Sequence, residues 1–89
     1  MNATIIQWTE FKSSHVWRDT VESIEEEMRL LHIDLEDPKA TLDEVRFIQG
    51  KLFAMRHFLQ LPENALIMAD IELQDRQREQ NQTKEDVDE

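Results

Sequence analysis

The chain has 89 residues, no cysteine and a formal net charge of −10. Without cysteine it can form neither a disulfide framework nor a thiolate metal site. Its acidic balance disfavours direct binding to nucleic-acid phosphates and to anionic membranes. One glycine and two prolines favour long helices over a β-rich fold. A chain this short makes one small domain, and such domains often gain stability by self-association.

The first thirteen residues form an apolar arm that lacks a long helical or strand period. Its large side chains are those of Ile5, Ile6, Trp8 and Phe11. Two interpretations stay open. The arm folds back as a lid over the core, or it docks on another chain, since exposed apolar clusters usually mark contact sites. The apolar run is too short for a signal peptide and follows no basic segment, so we expect no membrane targeting here.

Six apolar residues with alternating steps of four and three predict the first long helix. Ser13 or Ser14 can accept a backbone N–H bond as its N-cap, and the helix should end near residue 35. Pro38 disfavours helical geometry at the residue before it, so the chain turns there. The six residues of this ladder are Trp17, Val21, Ile24, Met28, Leu31 and Leu35.

A second ladder predicts a second helix from about Leu42 to Gln60. Thr41 and Glu44 have the spacing of a capping box, which fixes its start. The short connection to the first helix requires antiparallel neighbours, so residues 14–61 should form a helical hairpin. The residues of the second ladder are Val45, Ile48, Leu52, Met55 and Leu59.

The second helix carries more apolar surface than one neighbouring helix can cover. Phe47, Ala54, Phe58 and Leu61 lie beside the ladder, with Gly50 between them. The arm, a third helix or another subunit must cover this set. A glycine inside a helix costs ~1 kcal/mol relative to alanine. Gly50 therefore either permits close approach of a neighbour or is simply tolerated.

The end of the chain predicts a third helix and then a disordered tail. Pro62 suits the first position of a helix, and Glu63 suits its positive N-terminal end. We predict this helix over residues 62–77. Residues 78–89 are acidic and contain one apolar residue, which cannot form a core, so we expect disorder or helix only on binding.

The sequence offers little for catalysis or metal binding. His15, His32 and His57 are the only imidazoles, and none is paired with another at i+3 or i+4. A di-iron helix bundle needs glutamate three residues before histidine, but Arg29 and Ala54 occupy those positions. We therefore expect no enzymatic activity, no metal and no cofactor.

Two segments of the chain resemble a family of small, acidic, helical proteins encoded among the head and tail morphogenesis genes of tailed bacteriophages. The family pattern is S-x-x-W-R-D, then R-x-x-Q-G-x-x-x-A-L-R, then L-P-E. This chain has SHVWRD from Ser14, RFIQGKLFAMR from Arg46 and LPE from Leu61. Met55 stands where the family usually has leucine. The match covers residues 13–63, and the role of such proteins is commonly unassigned.

The resemblance implies a non-enzymatic structural or assembly protein of a tailed-phage particle. Such a protein is a minor virion, cement, portal-associated or scaffold-like component, found in the host cytoplasm during assembly or in the virion. Its partners would be other copies of itself and other phage structural proteins. The alternative is an acidic regulatory binder that inhibits a nucleic-acid-binding protein by charge mimicry. Seven Lys/Arg among residues 1–61 dilute the acidic surface that mimicry needs.

The expected architecture is all-α, an antiparallel helical hairpin plus a C-terminal third helix, self-associating into a coiled-coil-like bundle. Its candidate interface residues are Ile5, Ile6, Trp8, Phe11, Phe47, Gly50, Ala54, Phe58 and Leu61.

Overall fold

A computed structural model describes the backbone of residues 2–87 and the side chains of residues 2–82. All regular structure in this part of the chain is helical, which confirms the predicted all-α class. The four helices are α1 (Ile5–Lys12), α2 (His15–Leu35), α3 (Leu42–Leu59) and α4 (Leu61–Val87).

Helices α2 and α3 begin at the capping residues that the sequence indicated. The Trp17 amide donates to Ser14 Oγ at 3.1 Å. The Glu44 amide donates to Thr41 Oγ1, and the Thr41 amide donates to Glu44 Oε2, both at 3.2 Å. Each cap satisfies an N–H group that has no partner within its own helix, which fixes where the helix starts.

The N-terminal arm is itself a helix, which the sequence analysis missed. Thr4 and Gln7 form a second capping box: the Gln7 amide donates to Thr4 Oγ1 at 3.2 Å, and the Thr4 amide donates to Gln7 Oε1 at 2.9 Å. The spacing of threonine and glutamine was the available signal for this start. Helix α1 contacts α4 and the beginning of α2, so the arm folds back on its own chain.

Helices α2 and α3 pair in opposite directions. The ring of Trp17, near the start of α2, lies 5.7 Å from that of Phe58, near the end of α3. At the other end of the pair, Asp34 and Ile48 line the same groove beside the connecting loop. Both ladders face the interior, with every one of their residues buried or half-buried. Leu52 is the most enclosed of them, at 3% exposure.

Helices α1 and α4 form a second pair in the same manner. Lys12 Nζ, at the end of α1, lies 3.3 Å from Glu63 Oε1, at the start of α4. Asn2 and Arg76 line a shared groove at the opposite end of this pair. The buried residues of α4 are Pro62, Ala65 and Ala69.

The molecule is a long ribbon, one helix layer thick. Its principal extents are 74 × 30 × 15 Å. Gln60 separates α3 from α4 but keeps right-handed helical angles, φ −87° and ψ 0°. Helices α3 and α4 placed end to end would measure about 67 Å at 1.5 Å per residue. Since the longest extent of the molecule is 74 Å, α4 must continue in the direction of α3. The radius of gyration is 20.7 Å, whereas a compact domain of this length has about 12 Å.

The predicted end of the third helix at residue 77 is wrong, because α4 continues to Val87. Most residues of this stretch have high helix propensity, and neither glycine nor proline follows Pro62. The described side chains of residues 78–82 are all exposed, so these residues bury no apolar surface. The last two residues of the predicted disordered tail, 88–89, lie outside the described residues.

Candidate protein interface

The second apolar set of α3 is exposed along its whole length. Phe47 is 65% exposed, and Ala54, Phe58 and Leu61 are exposed as well. They project away from the ladder that faces α2, because their helical positions lie more than a quarter turn from it. Neither the arm nor α4 covers them, so these predicted interface residues are free to contact another molecule.

Gly50 lies in the same exposed set and faces open space. A Cβ atom built at this position would meet nothing within 4 Å. The glycine therefore does not serve a close approach within this chain. Of the two earlier interpretations, close approach remains only for a neighbour from another molecule.

The exposed set continues into α4 beyond the residues that the sequence analysis selected. Met68 and Ile71 are both exposed. Phe47, Ala54 and Leu61 are spaced seven residues apart, and Met68 follows at the same interval, so a heptad repeat was the overlooked signal. We call this set the outer stripe, and its members are Phe47, Gly50, Ala54, Phe58, Leu61, Met68 and Ile71.

An open groove runs between α2 and α3 beside the outer stripe. It has a volume of about 420 Å³ and is mainly aliphatic, with Leu30, Leu31, Ala54 and Met55 in its lining. Lys51 borders the groove, and its Nζ lies 4.7 Å from the centroid of the Phe47 ring. An ammonium group over an aromatic face is favourable. The groove and the outer stripe therefore form one apolar surface bordered by Lys51 and by Glu27, which also lines the groove.

The interface candidates of the arm divide into covered and uncovered residues. Ile5, Trp8 and Phe11 are half-buried, whereas Ile6 is 70% exposed. The Trp8 ring packs edge-on against Phe11 at 5.8 Å, and Phe11 lies 5.2 Å from Trp17. Three of the four arm candidates thus contribute to the interior of the molecule, and Ile6 is the one on its surface.

The aromatic cluster joins the two helix pairs where α3 is followed by α4. Trp17 contacts both Phe11 of α1 and Phe58 of α3. Phe58 therefore has two roles: one edge of its ring packs in the aromatic cluster, and the other edge is exposed in the outer stripe. The indole N–H of Trp8 is enclosed and meets no acceptor among the described residues.

Charged groups with displaced pKa values occur in one exposed pair on α2. Arg29 Nε and Nη2 donate to the two carboxylate oxygens of Glu26 at 2.9 and 2.6 Å. These hydrogen bonds lower the pKa of Glu26 below its ordinary value and raise the pKa of Arg29. An exposed pair of this kind contributes little stability.

Neither a membrane-spanning helix nor a metal-binding cluster occurs among the described residues. No helix there has the length and apolar character needed to cross a membrane. No group of three or more His, Cys, Asp or Glu side chains is arranged there to hold a metal ion.

The chain matches no protein-family model, no curated protein sequence and no solved structure.

Proposed function

We propose that this chain is a non-enzymatic structural or assembly protein that acts through helical protein–protein contacts. One observation carries the proposal. The molecule is a ribbon 15 Å thick on which large apolar side chains are exposed along all four helices. Monomeric soluble proteins rarely expose contiguous apolar patches of more than a few hundred Å². A one-layer fold of this kind becomes a stable element when other helices cover its faces.

We further propose that the protein works in the assembly of tailed-phage particles. The support is the resemblance of the segments that begin at Ser14, Arg46 and Leu61 to small phage morphogenesis proteins. The first segment caps α2, the second carries three of the seven outer-stripe residues, and the third begins α4. The resembling residues are thus the ones that shape the ribbon and its exposed surface.

A capture experiment tests this function against charge mimicry. The tagged full-length chain would be purified from host cells that are producing tailed-phage particles, and the bound proteins identified by mass spectrometry. We expect capsid, portal or tail proteins, retained in both 0.15 M and 1 M salt because apolar contacts resist screening. Mimicry instead predicts polymerases or nucleases that are lost in 1 M salt, where the Debye length falls to ~3 Å.

The same experiment has two outcomes that contradict the proposal. Recovery of nucleic-acid-binding proteins alone, lost in high salt, would favour the regulatory binder. Recovery of no protein above an untagged control would leave the chain without a partner in particle-producing cells and would overturn the assembly role.

A further inference from the structure

We propose that the partner of the outer stripe is a second copy of this chain, packed antiparallel about a two-fold axis near Phe58 and Leu61. This inference deepens the proposed function and rests on it in one respect, that the exposed apolar residues are contact residues. It adds the identity of the occupant and the direction in which it lies.

The outer stripe is straight enough to receive another helix along its length. Seven residues make nearly two turns, so Phe47, Ala54, Leu61 and Met68 stay close to one line, with a drift of ~20° per repeat. Gln60, the C-cap of α3, keeps right-handed backbone angles, so α4 continues in the direction of α3. The seven-residue repeat supplies one of the two apolar positions per heptad by which paired helices pack.

The outer stripe is long enough for an extended contact between helices. From Phe47 to Ile71 it extends about 36 Å at 1.5 Å per residue. Because its α3 residues project away from α2, the stripe lies along the edge of the ribbon, where a second copy meets no other helix of the first.

The distribution of charge selects an antiparallel second copy. Helix α3 has three Lys/Arg and two Asp/Glu, giving +1, and no other helix of the four is net positive. Residues 61–82 of α4 have two Lys/Arg and five Asp/Glu, giving −3. An antiparallel copy sets each α3 against the partner's acidic α4, whereas a parallel copy sets α3 against α3 and α4 against α4. Like charges would then face each other at both ends.

Two-fold symmetry also makes the stripe complementary to itself. In an isologous interface each contact occurs twice, and residues near the axis meet their own copies. With the axis near residue 59, Phe47 faces Ile71 of the second copy, and Phe58 and Leu61 lie beside their own equivalents. All four are large apolar residues that are exposed in the single chain.

Solution mass tests whether the second copy binds. Light scattering and sedimentation of the full chain over a range of concentrations should show a dimer. Phe47→Asp and Leu61→Asp should each weaken dimerisation more than tenfold, with helicity by circular dichroism unchanged. Ile33→Asp is the matched control, because Ile33 is 53% exposed and lies on the side of α2 opposite to its ladder, away from the outer stripe. It should remain dimeric.

Cysteine crosslinking tests the direction independently of charged substitutions. The chain has no cysteine, so an introduced thiol reports one position. Leu61→Cys should crosslink to its own copy through a short bis-maleimide reagent. Phe47→Cys should crosslink in a mixture with Ile71→Cys and not when alone. A Phe47→Cys homodimer would overturn the antiparallel arrangement.

A monomeric wild-type chain at all concentrations would overturn the proposal, as would equal weakening by Ile33→Asp. Failure of this inference remains separate from failure of the assembly role. If the chain is monomeric but still captures phage structural proteins, and Phe47→Asp abolishes that capture, the stripe binds a different protein. In that case the dimer is wrong and the proposed function stands.

Discussion

The two helix pairs of this molecule reach a packed interior by different means. Helices α2 and α3 are both long, and aliphatic ladders from both sides meet along their length. In the other pair α1 has only eight residues, and its Trp8 is half-buried. The residues that α4 buries in this pair include the small Ala65 and Ala69. In the α2–α3 pair large side chains pack against large side chains, whereas in the α1–α4 pair the buried residues of α4 are small.

This difference shows which part of the fold depends on the other. An isolated helix of eight residues is not stable in water, because nucleation is unfavourable and few hydrogen bonds follow it. Helix α1 is therefore stable only while α4 and the start of α2 cover it. The α2–α3 pair has two long amphipathic helices and one short connection, so it does not depend on α1 in the same way.

The strongest test of this comparison is Leu52→Ala. Leu52 is 3% exposed at the centre of the α2–α3 seam. Loss of its side chain should destabilise the fold by about 2–5 kcal/mol, as for other large-to-small changes in a core. Urea unfolding followed by circular dichroism measures the effect. Phe53→Ala, at the exposed neighbouring position, should stay within about 0.5 kcal/mol, and equal losses for both variants would contradict the assigned seam.

Trp8→Ala should have a smaller and more local effect. Because Trp8 is only half-buried, we expect a loss of about 1–3 kcal/mol. Amide hydrogen exchange should show lost protection in α1 and at the start of α4, while α2 and α3 keep theirs. Ile6→Ala, on the exposed side of α1, is the control. Equal loss of protection in all four helices would mean that the two pairs unfold as one unit.

Deletion of residues 78–89 should have the smallest effect. The described side chains of this segment, at residues 78–82, are all exposed. We expect a change in unfolding free energy within about 0.5 kcal/mol, measured by thermal unfolding of the truncated chain. A large fall in the midpoint would show that the end of α4 packs against another part of the molecule or of an oligomer.

The regular ladders were the part of the fold that sequence could predict. A stripe such as that from Val45 to Leu59 depends only on helical periodicity and on a partner nearby in the chain. The caps at Ser14 and Thr41 were equally local, since each needs only the next three residues. The capping box of Thr4 was just as local, but the apolar residues after it have no long period.

The remaining features depend on contacts between distant residues. Nothing in the sequence near Phe11 specifies that it will meet Trp17, or that Trp17 will in turn meet Phe58. The direction of α4 depends on the backbone angles of Gln60 and Leu61, and Pro62 restricts those of Leu61 without determining both. For the candidate interface, periodicity identified Phe47 to Leu61, but the continuation to Met68 required knowing that α4 follows α3.

The antiparallel layout of the ribbon sets an expected order of folding events. The groove beside the α2–α3 loop is lined by residues that are close in sequence, such as Asp34 and Ile48. The groove between the N-terminal segment and α4 is lined by residues as distant in sequence as Asn2 and Arg76. The entropy cost of closing a loop grows with the sequence separation of the residues that meet. The helices should therefore pair first beside the α2–α3 loop and last at the chain termini. Helix α1 would then be the last element to dock and the first to open.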